Sequence, residues 1–425
     1  MTRRYYLETL GCKLNRADTE RLARELAGRG MEPAGRAEDA DLLVVNTCTV
    51  TGRADADGRQ ALRRLARTAP GARLVAMGCY ARRDPAALTA LPGVSLVAGG
   101  ADPEPVVEEA QRAFPGALSR RIEPYHAAPV GGGRTRALLK VQDGCNLTCS
   151  YCIIPSVRGR SRSIPPGELE ESLTRLVAAG FAEVVLTGVN TGDYGHDLAD
   201  GPDLLGLLRR LTRVSGLGRL RLNSLEPRTI TPDLVSFLAD TEKVAPHLQV
   251  PLQSGSDDIL QRMRRNYRSA LYREVLESLA RAIPDIGLGA DVIVGFPGES
   301  ETDFAATENL IKESPLSYLH VFSYSERPGT DAASLPESVA PVVTKARVAR
   351  LRSLAAAKGA VFRQRYVGRV LTAVTLEEPG NHGDLRALTG NFFEVALPAG
   401  TVAGNRLVKV RVLSVDSTGA RGVAA

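Results

Sequence analysis

The stretch "DGCNLTCSYC", residues 143–152, sets Cys145, Cys149 and Cys152 in a C-x3-C-x2-C array directly after the strand-like run "RALLKVQ" at 136–142. Three thiolates on one short loop can hold three irons of a cubane iron–sulfur cluster and leave the fourth iron open to a small molecule. Structural zinc is the alternative. It asks for a fourth Cys or His close by, and the local sequence supplies none.

The chain around this loop alternates strand and helix from about 137 to 335. Apolar runs at "EVVLTGV" (183–189), "RLRLNSL" (219–225), "HLQVPLQ" (247–253), "LGADVIVGF" (288–296) and "LHVFSYS" (319–325) follow the first strand, with amphipathic segments such as "PGELEESLTRLVAAG" between them. Six strand–helix units fall short of a closed eight-stranded barrel, so an open, partial (β/α)6 barrel is expected, with its active face at the C-terminal ends of the strands. Side chains just past those ends become candidates for a small-molecule pocket: Gly188 and Asn190, with Asp193 nearby, then Ser224 and Glu226, Gln253 and Ser254, and Asp291. Any one of them alone could be a turn with capping side chains, and it is the shared placement that points to a site.

Upstream, residues 1–112 repeat the pattern strand, turn, helix on a smaller scale, which predicts a doubly wound parallel-sheet domain. Cys12, Cys48 and Cys79 each directly follow a strand, in "ETLGC", "VVNTC" and "VAMGC". Neighbouring parallel strands end side by side, so these three cysteines can meet at one crevice and form a second cluster site. The other reading is three buried, inert thiols. Residues 113–136 are rich in Pro, Gly and Arg without periodicity and read as a linker. The barrel domain is expected over 137–362. Residues 363–425 turn to short β runs with Gly and Asn between them, which predicts a small all-β barrel.

Composition bounds the rest. The 425 residues carry a net charge of +6 with arginine far outnumbering lysine, which suits bidentate contact with phosphate. No apolar run approaches membrane-spanning length, and six cysteines in a reducing compartment argue for metal or redox chemistry over disulfides, so a cytoplasmic protein is expected. His247 and His320, each at the start of a predicted strand, read as hydrogen-bonded structural histidines.

The loop at 143–152 resembles that of the radical S-adenosylmethionine (SAM) enzymes, and "GCKLN" (11–15), "NTCTVT" (46–51) and "GCYA" (78–81) resemble the N-terminal motifs of the methylthiotransferases among them. The likeness continues through "RGRSRS" (158–163), "PLQSGSDDILQRMRRNY" (251–267), "DVIVGFPGESETDF" (291–304) and "FSYSERPGTDAA" (322–333), and ends in a module similar to the family's TRAM domain. The resemblance implies two [4Fe-4S] clusters, one on Cys145, Cys149 and Cys152 and one on Cys12, Cys48 and Cys79. SAM would be bound at the first as radical source, with a second SAM as methyl donor, and Tyr151 would lie against the adenine. It further implies an electron donor, a sulfur source, and as substrate adenosine 37 in the anticodon stem-loop of tRNA or an aspartate of a ribosomal protein. "GCKLN" is most similar to the group acting on N6-threonylcarbamoyladenosine, whereas isopentenyladenosine enzymes tend toward "GCQMN" and protein-modifying ones toward "GCPKN". Arg158, Arg160 and Arg162 beside the radical loop, and Arg369, Arg386, Arg406, Lys409 and Arg411 among the last β runs, are candidate RNA contacts, with Phe392 or Phe393 as a base-stacking surface. For the first three the other reading is a solvated loop, and at least one of the two phenylalanines is expected in the small barrel's core. A non-catalytic RNA-binding protein with structural zinc is the alternative from another class.

Overall fold

In this computed structural model the described residues are 2–116, 118, 135–378, 380, 383–416 and 419–425, so most of the expected linker at 113–136 lies outside them. The run "LLVVNT" (Leu42–Thr47) is buried at every position, as a central parallel strand covered on both faces must be. It lies in the middle of a five-stranded parallel sheet with the order Glu32–Pro33, Arg4–Thr9, Leu42–Thr47, Arg73–Gly78, Val94–Gly99. Crossover helices Lys13–Ala27 and Gly52–Thr68 cover it, the second capped by the Thr51 hydroxyl, which accepts from the Ala54 amide. This is the doubly wound domain that the repeated strand–turn–helix pattern predicts.

The second sheet is built from six parallel strands. Arg136–Lys140, Glu183–Thr187 and Arg219–Arg221 pair in that order, and His247–Gln249, Gly287–Val294 and Tyr318–Ser323 pair in that order. Single bridges from Leu220 to Val244 and from Ser224 to Gln249 join the two halves. Among the described residues no ladder closes the last strand onto the first, which is the partial (β/α)6 barrel read from the six βα units. Alternation decides which side chains face inward. Leu220, Leu222, Leu248, Val250, Ala290, Val292 and Val321 lie in the core packed under the helices, so Arg221, Asn223, Gln249, Asp291 and His320 point into the barrel.

A long helix, Pro341–Gln364, leads to a closed barrel of five strands, in the order Val370–Thr375, Leu385–Thr389, Glu394–Leu397, Gly419–Ala424, Leu407–Asp416. Phe393 sits in its core, as expected for one of the two phenylalanines. Among the described residues no helix is long and apolar enough to cross a membrane.

A buried ion cluster fastens the small barrel to the large one. Glu183 accepts from Arg219 Nε at 2.6 Å and from Arg221 Nε at 2.9 Å. The same two guanidinium groups donate to the carbonyls of Thr372, Leu388, Thr389 and Gly390 in the small barrel. Phe392, the other candidate base-stacking ring, lies with Arg221 over its face at 5.3 Å and against His247 at 4.2 Å. Its ring is used between domains rather than offered to a base. Burial alone would raise the Glu183 pKa, but Arg221 and Arg219 outweigh it and hold the carboxyl well below the usual range.

Removing the one carboxylate leaves two guanidinium groups buried without a counter-charge, so Glu183→Gln is expected to cost about 3–5 kcal/mol and to free the C-terminal barrel for limited proteolysis. Because the folded-state pKa is depressed, the stability Glu183 contributes is present above the ordinary glutamate value. The difference between wild type and variant in denaturation midpoint should therefore hold from neutral pH to about 5 and shrink in stronger acid.

Candidate active site

Two glycines and one asparagine bring the first cysteine trio together. Gly11 has φ +100°, and a Cβ there would stand 2.5 Å from Cys48 Cβ. Gly78 has φ +96°, and a Cβ would stand 2.3 Å from Asn46 Oδ1. Only glycine allows these turns, and they carry Cys12 and Cys79 to the end of the strand that bears Cys48. Asn15 then ties the group. Its amide donates to the carbonyls of Leu10 and Thr47 at 3.0 Å each, and its Oδ1 lies 3.7 Å from both Cys12 Sγ and Cys79 Sγ. The convergence expected of parallel-strand ends is present in the geometry.

The second trio lies on the loop after the first large-barrel strand. Gly144, at φ +72°, lets the loop press against the carbonyl of Arg160, and Cys145 donates its amide to Gly159 O at 3.1 Å. Leu147 N donates to Cys145 Sγ at 3.4 Å and Arg265 Nη1 to Cys149 Sγ at 3.1 Å. Arg265 also pairs with Glu226. Ser150 anchors the loop through the carbonyls of Arg262 and Met263. The two trios are close neighbours: Cys79 packs in one apolar cluster with Ile153, the residue after Cys152, and with Val157.

Burial pushes the thiols up, Cys79 and Cys145 to about 11, Cys152 to about 12, and Cys48 in the same direction. They therefore stay protonated at neutral pH until a metal displaces the proton. Among the described residues no three His, Cys, Asp or Glu groups converge on a single-ion position. In a cubane each thiolate binds a different iron.

Of the pocket candidates, Asn190 is buried with its Oδ1 lacking a partner among the described residues, as is Thr187 Oγ1 at the end of the strand before it. Orphaned acceptors beside the radical loop fit a polar ligand such as SAM. Gly188 is required by close approach, but of Gln142 and Thr191, each 2.9 Å from a Cβ built there. Asp193 meets Asn146 beside Cys145 at 3.4 Å. Gln253 holds φ +60°, a strained conformation of the sort kept at functional sites, with a half-buried side chain. Ser224 is half-buried and its carbonyl accepts from Thr191. Tyr151 packs edge-on to Phe296 at 6.5 Å. Ser254 departs from the expectation. It is fully buried and bonded to Thr307 and to the Ser256 amide, so it builds the turn and offers nothing to a ligand.

Asp291 lies deeper in the barrel. Both its oxygens accept from Gln249 Nε2 at 2.7 Å, and His320 Nδ1 stands 3.1 Å away. His247 Nε2 meets Tyr318 Oη at 2.8 Å, the bonded structural histidine expected there. Lys13 enters the same interior from the N-terminal domain, its Nζ donating to Asn223 Oδ1 at 3.0 Å. Burial, with Arg136 and Arg221 nearby, pushes its pKa down to about 8.

Arg158 is the clearest correction among the expected RNA contacts. It is 8% exposed and donates to Asp143 Oδ1 at 3.0 Å, Asp18 Oδ2 at 3.0 Å and Asn15 Oδ1 at 2.6 Å, joining the N-terminal domain to the radical loop. Arg160 and Arg162 are exposed and, with Arg21 and Arg82, line a groove of about 970 Å³ between the two domains. Arg369 is exposed but paired with Asp285, and Arg386 with Glu394, while Arg406, Lys409 and Arg411 stand exposed on the small barrel. Sequence reasoning passed over Asn15, Lys13 and Arg265. The first two sit inside "GCKLN", so the motif held a signal, but nothing local separates Arg265 from Arg262 and Arg264.

Residues 4–99 match the uncharacterized protein family UPF0004, and residues 139–311 match the radical SAM superfamily. The chain is 38% identical to the threonylcarbamoyladenosine tRNA methylthiotransferase MtaB of Bacillus subtilis, over 95% of this chain and 92% of that protein. It is 37% identical to the MtaB of Aquifex aeolicus, over 91% and 95%, and 38% identical to the tRNA-2-methylthio-N(6)-dimethylallyladenosine synthase of Acidothermus cellulolyticus, over 89% and 78%. Among solved structures, the radical SAM methyltransferase TsrM from Kitasatospora setae superposes with a TM-score of 0.59 at 16% identity, over 78% of this chain and 75% of that one, a likeness of fold. The barrel and its three-cysteine loop are those of a radical SAM enzyme, whose chemistry uses SAM and a [4Fe-4S] cluster. The chain belongs to the tRNA methylthiotransferase family of these enzymes.

Replacing Arg158 by glutamine should leave Asp18 and Asp143 with Lys140 as their one shared cation in place of two and destabilise the protein by about 3 kcal/mol in chemical denaturation. An unchanged midpoint would show that the contact between domains does not depend on this guanidinium.

Proposed function

We propose that the protein adds a methylthio group to C2 of N6-threonylcarbamoyladenosine at position 37 of tRNA, with a second [4Fe-4S] cluster on Cys12, Cys48 and Cys79. The observation that carries the two-cluster reading is the packing of Cys79 on Ile153, which puts the N-terminal trio one apolar layer from the radical loop. Two sets of three thiols, each leaving one iron without a protein ligand, suit a radical generator and a sulfur carrier facing one cavity. The substrate reading draws support from the MtaB relatives, which this chain covers over 92% and 95% of their lengths, against 78% of the dimethylallyladenosine synthase.

In this reading the cluster at Cys145, Cys149 and Cys152 with SAM supplies the hydrogen-abstracting radical, and the protein supplies placement. Asn190 and Thr187 offer their free acceptors to SAM, with Gln253 and Ser224 at the neighbouring strand ends. Arg265 holds Cys149 and is itself held by Glu226, whose pKa is raised by burial against the pull of Arg265. Asn15 and Arg158 orient the N-terminal trio. Arg160, Arg162, Lys409 and Arg411 face solvent, where they can hold phosphates of the anticodon stem-loop. The electron donor and the sulfur source come from outside this chain.

The test is mass spectrometry of nucleosides after anaerobic incubation of reconstituted protein with SAM, a reductant and tRNA carrying both N6-modified adenosines. The 2-methylthio derivative of the threonylcarbamoyl nucleoside is expected; the dimethylallyl product alone would overturn the substrate reading. Two variants separate the clusters. Cys145→Ala should abolish SAM cleavage, while Cys12→Ala should keep cleavage, lose methylthiolation and bind about four fewer irons per chain. Full product from Cys12→Ala would remove the auxiliary cluster.

A further inference from the structure

Charges taken out of water normally arrive paired, and the inside of the large barrel does not balance. In its lower half Arg136, Arg219 and Arg221 share the single carboxylate of Glu183. Glu394, which also faces Arg136, is bound to Arg386. Above them stand Lys13 and Asp291; Asp291 is hydrogen-bonded to Gln249 and His320 and reaches Lys13 only as a charge at a distance. Lys13 has only the neutral Oδ1 of Asn223, and among the described residues no carboxylate lies within ion-pair reach of its ammonium. Among the described residues four cations therefore face two carboxylates, and Lys13, the one of the four without a direct ion pair, is the one that can move, at the end of a four-carbon stem.

Its position narrows what would complete it. Lys13 follows Cys12 directly, so its stem leaves from the first cysteine trio, and its ammonium ends at Asn223, one residue before Ser224 at the strand end facing the radical loop. An anion bound there would lie in the barrel interior below the cysteine loop, tied through Lys13 to the chain that carries Cys12 and through Asn223 to the strand end at Ser224, where a substituent on a base held at the rim would enter. We propose that Lys13 binds the carboxylate of the N6-threonylcarbamoyl group, with Asn223 orienting the ammonium, and so selects an acidic substituent over an apolar one. This rests on the substrate reading above and adds the residue that enforces it. A dimethylallyl group at the same place would leave the ammonium buried and unpaired, which is how a polar site rejects an apolar analogue. A backbone phosphate is the other anion that could reach this charge, and it would be indifferent to the substituent.

The experiment compares three anticodon stem-loops, bearing N6-threonylcarbamoyladenosine, its methyl ester, or N6-dimethylallyladenosine. Their affinities for the reconstituted wild type, Lys13→Met and Lys13→Arg are read by fluorescence anisotropy, at matched iron content. Wild type should bind the free acid about tenfold to a hundredfold more tightly than the ester, Lys13→Met should bind the two alike, and Lys13→Arg should recover part of the preference. An equal loss for all three ligands with Lys13→Met would assign the lysine to a phosphate, and an undiminished acid-over-ester preference would remove it from recognition; either result overturns the inference while a wild type that still converts the threonylcarbamoyl substrate keeps the proposed function. A wild type that converts only the dimethylallyl stem-loop overturns both. If Lys13→Met fails to hold iron, Asn223→Leu removes the same orienting contact from the barrel side and should give the same loss of acid preference.

Discussion

One guanidinium holds the N-terminal domain against the loop of Cys145, Cys149 and Cys152. Arg158 leaves the end of the short helix that follows Cys152 and places its nitrogens on Asp143 of the radical loop and on Asn15 and Asp18 of the first helix. Lys140 reinforces it, donating to Asp18 at 2.7 Å and to Asp143 at 2.6 Å. The arrangement is two cations on two carboxylates, closed by an asparagine oxygen that also faces Cys12 and Cys79. Such a network is costly to bury and more costly to break, so its value lies less in net stability than in allowing a single register between the domains. Arg327 adds a second tie, donating to Thr49 and Asp55 just beyond Cys48.

The barrel is layered from end to end. Its floor is sealed by Glu183, Arg219, Arg221 and the carbonyls of the small β-barrel, its middle holds Lys13, Asn223, Gln249, Asp291 and His320, and its rim carries Arg265, Glu226, Gln253 and the cysteine loop. Closing the floor with another domain gives the C-terminal module a second task besides presenting exposed arginines. It explains why Phe392 is spent on His247 and Arg221 and not on a base. The strained Gln253 and the orphaned acceptors of Thr187 and Asn190 cluster on the rim, where function tolerates local cost.

The radical loop, the strand-end cysteines, the partial barrel and the small β-barrel were all legible from spacing and periodicity. Those are local properties: thiols three and four residues apart must share a loop, and a run of six buried residues such as "LLVVNT" must be a covered strand. Ser254 and Arg158 could not be read this way, because a hydroxyl or a guanidinium looks the same in sequence whether it faces solvent, a ligand or a buried partner. Ser254 turned inward to Thr307, and Arg158 reached residues more than a hundred positions away.

By itself the sequence determined the class of chemistry and the order of the three domains, since both follow from residue types at short separations. Only the tertiary structure decided that Cys79 rests on Ile153, that Arg265 serves Cys149, and that Lys13 stands in the barrel without a direct ion pair among the described residues. The physical reason is that charge balance and desolvation depend on everything within a few ångströms of a group, and in a folded chain most of that comes from distant sequence.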